Sequence, residues 1–160
     1  MTGRATTWKE ALTRGLVSGS AASLASAAML AACGKRELDD PYAPLNGPSQ
    51  WLWGERAACA DGFSVRHTVA GYLVHHAMSI FWAVLFEKFR RRAIPAAAAA
   101  LPAVATSSGA CVVDYCLTPK RLTPGFEKRL SRGSLFLVYA AFAAGLAATA
   151  ALRERRDSSR

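Results

Sequence analysis

The sequence predicts an all-α protein, a bundle of four membrane-spanning helices, and three observations lead there. Apolar residues make up 52% of the chain although its formal charge is +9, and long apolar stretches alternate with short charged ones. Four of those stretches each come close to the roughly 20 residues that cross a hydrocarbon core as a helix. Two of the four are rich in Ala, Ser and Gly, the side chains that let helix backbones approach one another inside a bundle. The same segregation weighs against nucleic acid as a partner, because a DNA binder gathers its basic residues on one folded face. Membrane lipids are the partner it implies. The 160 residues form a single membrane domain.

The first span covers 12–33. Gly15, Gly19, Ser23 and Ala27 recur every four residues and make one small-residue stripe for helix packing. The second span, 68–86, contains "YLVHHAMSIFWAVLF", and the fourth, 133–152, contains "SLFLVYAAFAAGLAATAAL"; each would insert on its own. The third, 93–117, follows a short turn, so it is expected to pack antiparallel to the second. Pro102 lies inside it and is expected to kink it. An outer loop of 33 residues, 34–66, separates the first two spans, and a basic tail, 153–160, ends the chain.

Placing both termini in the cytoplasm puts eleven basic residues inside against nine outside, in the direction of the positive-inside rule. The "EKFRRR" turn and the "RERR" tail favour that orientation, whereas "TPKRLTPGFEKRLSR" opposes it. In that third loop Thr123 and Pro124 read as an N-cap and first helical residue. A short surface helix would follow, with Arg129 and Arg132 reaching toward lipid headgroups.

Leu30-Ala31-Ala32-Cys33 has the form of a lipoprotein cleavage site. The preceding segment is long, contains Glu10 and is polar for a signal core, and cleavage would leave a lipid-anchored chain that still crosses the membrane three times. Processing at Cys33 is therefore the third-ranked reading. With both termini inside, all four cysteines lie at or near the outer face, where Cys33 and Cys59 are the least strained disulfide pair. Four unpaired thiols are the equal alternative.

Ionisable residues at membrane depth are expensive and mark candidate sites. His75 and His76 sit near the middle of the second span, with Ser79 one turn on. Antiparallel register brings Thr106, Ser107 and Ser108 to their depth, and Ser20, Ser23 and Ser26 fall near the middle of the first span. The result is a polar layer built by three helices and not the fourth. The same register places His67 level with Asp114 and Tyr115 as an outer-boundary cluster, an Asp–His or Asp–Arg pair with Arg66 alongside. No cofactor or metal site is expected, because the three histidines share one segment and the cysteine spacing matches no zinc motif.

"APLNGPSQWLWGE", "GYLVHHAMSIFWAVLFEKF" and "DYCLTPKRLTPGFE" resemble stretches of small, uncharacterised bacterial integral membrane proteins, over roughly residues 12–150. That resemblance implies a helical inner-membrane protein and carries no activity, substrate or functional residue. The leading functional expectation is a non-enzymatic membrane component that assembles with itself or a membrane-protein partner through small-residue helix faces. The alternative is a small oligomeric transporter or proton-coupled permeation unit using the His/Ser/Thr layer.

Overall fold

Thr7 starts the first helix. Its hydroxyl accepts from the Glu10 N–H, and the Glu10 carboxylate accepts from the Thr7 N–H, a reciprocal capping box. Glu10, out of place in a signal sequence, thus sets a helix start. From there α1 (Trp8–Leu38) runs unbroken through Leu30–Cys33 and stops at Asp39, which is left-handed with φ 57°. Its 31 residues reach about 46 Å, longer than the hydrocarbon core.

The computed structural model describes residues 5–90 and 99–159, with no strand among them. Three further long helices follow: α2 (Val65–Phe89), α3 (Ala100–Leu117) and α4 (Arg132–Ser158). All four are long and apolar enough to cross a membrane. Residues 93–98 of the third expected span, Arg91 and Arg92 of the charged turn, and Arg160 lie outside the described residues. The fourth expected span continues past residue 152, so most of the basic tail is helix. Pro102 is the third residue of α3, and the residues one turn before it lie outside the described ones, so the expected kink falls at that boundary.

The burial pattern is inverted relative to a water-soluble bundle. Inward-facing positions of α1 are chiefly small, including Ala11, Gly15, Ser18, Gly19, Ala22 and Ser23. Leu12, Leu16, Val17 and Leu24 of the same helix point outward. Leu73 and Phe81 of α2, Leu101 and Val104 of α3, and Phe136 and Leu152 of α4 are likewise exposed. Large apolar side chains outside and small ones inside are the arrangement lipid favours, since packing is what holds such helices together.

The stripe determines the helix order. A Cβ on Gly15 would lie 2.5 Å from Val84 Cγ2, and one on Gly19 would lie 2.7 Å from Ile80 Cα, so α2 rests directly on α1. On another side of α1 a Cβ on Gly145 of α4 would lie 2.5 Å from Ala22 Cα. α1 therefore packs closely with both α2 and α4. α3 lies mainly against α4, and its contact with α2 is slight. α2 and α3 do run antiparallel in contact, as expected, but each makes its closer packing elsewhere, α2 on the glycines of α1 and α3 on α4.

The outer loop is a folded cap. Four short helical turns (Ala43–Asn46, Gly47–Ser49, Gln50–Trp53 and Glu55–Cys59) lie across the α1/α2 end of the bundle. Two fully buried amides hold them. Asn46 Nδ2 donates to the carbonyls of Ala60 (2.8 Å) and Gly62 (3.0 Å), while its Oδ1 accepts from Thr68 Oγ1 (2.7 Å). Gln50 Nε2 donates to the Thr123 carbonyl (2.6 Å), and its Oε1 accepts from Lys128 Nζ (2.8 Å). Asp40 receives the N–H groups of Gly62, Tyr42 and Ala43. Burial alone would raise its carboxyl, but those three donors outweigh burial and hold it below the ordinary range.

Gln50 and Trp51 both bond the Thr123 carbonyl, which fixes the third loop against the cap. The expected surface helix does not form: Thr123 is extended (φ −64°, ψ 161°), flanked by the 3₁₀ turns Lys120–Leu122 and Phe126–Lys128. Arg129 does not reach headgroups. It binds the Cys59 carbonyl at 2.8 Å and pairs with Asp61. At the same end, Glu37 of α1 accepts from Ser131 N (2.8 Å), Ser131 Oγ (2.7 Å) and Ser134 Oγ (2.5 Å) of the α4 start.

Charge locks the opposite end. Glu87 Oε2 meets Arg90 Nε at 3.2 Å and Glu87 Oε1 meets Arg153 at 2.9 Å, while Arg90 reaches Glu154 at 2.7 Å. The Glu87 side chain is fully buried and Arg90 nearly so. This network joins the ends of α2 and α4. Lys88 adds a bond to the Thr6 carbonyl (2.6 Å) and lies over the Trp8 ring.

Candidate functional site

Beneath the cap, the slight contact between α2 and α3 leaves a cleft. Its walls are mostly apolar: Val74, Met78 and Trp82 of α2, Val138 and Phe142 of α4, with Pro48 and Trp51 of the cap and Pro124 and Phe126 of the third loop above. About 560 Å³ lies between them, mouth included, of which about 70 Å³ is wide enough for water. Two polar groupings line this space. One is His75 with Ser26 and Ser79; the other is Asp114 with Tyr139. A narrow apolar recess with a few convergent polar groups is the general form of a small-molecule site.

His75 is positioned from α1. Its Nε2 lies 2.9 Å from Ser26 Oγ, and Ser26 Oγ donates to the Ala22 carbonyl at 2.8 Å. Ser26 Oγ thereby ties the imidazole to the α1 backbone. His76 takes another direction. Its ring sits 5.6 Å from that of Tyr72, and its buried Nδ1 has no hydrogen-bond partner among the described residues. Of the two histidines, only His75 lines the cleft.

Asp114 Oδ2 accepts from Tyr139 Oη at 2.6 Å, and Tyr139 stacks edge-on with Tyr115, ring centroids 6.1 Å apart. The expected outer-boundary cluster is thus redistributed. His67 Nδ1 lies 3.3 Å from Ser49 Oγ in the cap, and Arg66 lies over the Trp53 ring, so neither pairs with Asp114. The partner of Asp114 is on α4, a helix that the antiparallel register of α2 and α3 left out.

The polar layer forms in part. Ser26, His75 and Ser79 belong together, with Ser79 donating to the His75 carbonyl. Ser107 bonds the Tyr139 carbonyl at 2.7 Å, which brings in the fourth helix contrary to expectation. Thr106 bonds its own helix at Pro102, and Ser108 is exposed on the far side of α3. Ser23 is fully buried, its hydroxyl without a hydrogen-bond partner among the described residues. Gly15, Gly19 and Ala27 are buried within the chain.

All four cysteines are free, which corrects the Cys33–Cys59 pairing. Cys33 faces inward, clustered with Leu30, Phe126, Leu130 and Val138, whereas Cys59 is exposed at the end of a cap turn. In the folded protein a water-soluble maleimide is expected to label Cys59 within minutes and to leave Cys33 unmodified until denaturation. Equal labelling of both would show that the α1 packing is wrong. Among the described residues no group of three His, Cys, Asp or Glu side chains is arranged to hold a metal ion.

The fold and cleft define a class: an all-helical bundle with four candidate spans and a folded cap over a narrow, mostly apolar recess. No family model matches the chain, and no curated protein or solved structure matches it either.

Proposed function

We propose that this is a non-enzymatic bacterial inner-membrane protein that holds a small, largely apolar molecule bearing one hydrogen-bonding group in the cleft under its cap. The observation that carries this reading is the convergence of His75 and the Asp114–Tyr139 pair on one recess between apolar walls. The His75 imidazole and the second oxygen of Asp114 offer hydrogen-bonding groups to a hydroxyl or amine, and Tyr139 can re-aim its O–H toward a carbonyl. Assembly through small-residue faces has less support, because Gly15, Gly19 and Gly145 are already engaged inside the chain. Permeation through a His pair also has less, since His75 and His76 meet different neighbours. Continuity of α1 through Cys33 favours a retained helix over a removed signal.

Trp51 lines the cleft and serves as the reporter. In a variant keeping only that tryptophan, bromodecanol in the bilayer is expected to quench its emission saturably. Asp114→Asn should weaken the apparent affinity about tenfold, the worth of one hydrogen bond to a charged group. Quenching that rises linearly with probe and is unchanged by Asp114→Asn would contradict the reading.

A further inference from the structure

A second recess lies on the opposite side of α3, between α3 and α4, and opens to the outside of the bundle. Leu135, Phe136 and Ala143 of α4 face Val104 and Val112 of α3 across it, and about 530 Å³ of it is wide enough for water. Two groups at its cap end are unlike the rest. Arg132 lines it, is exposed, and has no acidic partner among the described residues. Tyr115 also lines it, with its hydroxyl beside that of Tyr139 at this end of the groove.

The Ser107–Tyr139 bond sets the register of the two helices. Tyr115 is eight residues beyond Ser107 and Arg132 seven before Tyr139, so both stand about 10–12 Å above that bond, at one level. The groove continues down α4 from Arg132 to Ala143, eleven residues or about 16 Å. That is about half of a hydrocarbon core of roughly 30 Å, the depth of one leaflet.

We propose that this groove binds one phospholipid of the cap-side leaflet. The phosphate sits on the Arg132 guanidinium, an ester carbonyl accepts from the Tyr115 hydroxyl, and one acyl chain lies along the groove. A cation at the mouth, a phenol hydroxyl just inside and an apolar trough one leaflet long match, in order, the parts of a glycerophospholipid. Tyr139 lies between the two recesses and lines both, but the groups that would hold the lipid, Arg132 and Tyr115, line only this one, so the site stands independently of the function proposed above.

The test is native mass spectrometry of the delipidated full chain, given either phosphatidylglycerol or diacylglycerol with the same acyl chains. One phosphatidylglycerol per chain is expected to survive, with diacylglycerol retained about tenfold less. Arg132→Ala should drop phosphatidylglycerol to the diacylglycerol level, Arg132→Lys should restore most of it, and Ala140→Trp, on the groove wall, should remove both. Arg132 is exposed, so its substitution leaves the fold intact by thermal melting. Equal retention of the two lipids, or retention unaffected by Arg132→Ala, would mean ordinary bilayer contact only and would overturn the proposal.

Discussion

Replacing Glu87 with Gln is expected to cost about 3 kcal/mol of stability, a large loss for one side chain. Glu87 is the shared anion of the network, one oxygen on Arg90 and the other on Arg153. Its side chain is fully exposed to neither water nor lipid: it is buried, as is that of Arg90. Removing the charge leaves Arg90 with Glu154 alone and Arg153 without its partner at the joint of α2 and α4. Breaking a buried pair from one side costs more than never building it, because the surviving charge stays desolvated. Replacing Glu87, Arg90 and Arg153 together with apolar residues should therefore recover much of the loss. Denaturation in mixed detergent micelles measures both. A change under 1 kcal/mol for Glu87→Gln would mean that this end of the bundle is hydrated and its ion pairs weak.

Gly125→Ala is expected to cost about as much, through the cap. Gly125 is left-handed with φ 84°, a conformation that penalises any Cβ by about 1–2 kcal/mol. A Cβ there would also lie 2.5 Å from the Gly47 carbonyl oxygen, and overpacking against backbone adds about 1–3 kcal/mol. The two glycines are where the third loop touches the cap turns, so separating them also strains the Gln50–Thr123 and Trp51–Thr123 bonds. Gly109, in the middle of α3 with open space around it, is the internal control. Gly109→Ala should be neutral or up to about 1 kcal/mol stabilising, from helix propensity alone. If the two substitutions behaved alike in the same denaturation assay, the close approach of the two loops would be refuted.

The helices were legible in the sequence because hydropathy and length are properties of a single segment, and the α1 stripe was legible because a period of four is. Depth reasoning put serines of the first span level with His75, but not which of them meets it; Ser26 does. What escaped were arrangements that depend on two distant segments at once. Asn46 and Gln50 look like ordinary loop amides until Thr68 and Thr123 are seen against them. Arg153 read as a tail charge and Glu87 as a turn residue, although the two neutralise each other in the interior. Asp114 was paired with His67 by assuming that α2 and α3 lie side by side. His67 turns to Ser49 in the cap, and Tyr139 of α4 takes the carboxylate instead. Thr123–Pro124 carries a good local signal for a helix start, yet its carbonyl is claimed by Gln50 and Trp51, and tertiary bonds override the local preference.

The central claim is that the recess under the cap is a binding site, and a native mass spectrum of the protein taken from its own membrane tests it most directly. The expected spectrum shows the unprocessed chain carrying one small apolar molecule that survives delipidation in the wild type and is lost from Asp114→Asn. A bare chain, or an adduct held equally by wild type and Asp114→Asn, would contradict the claim.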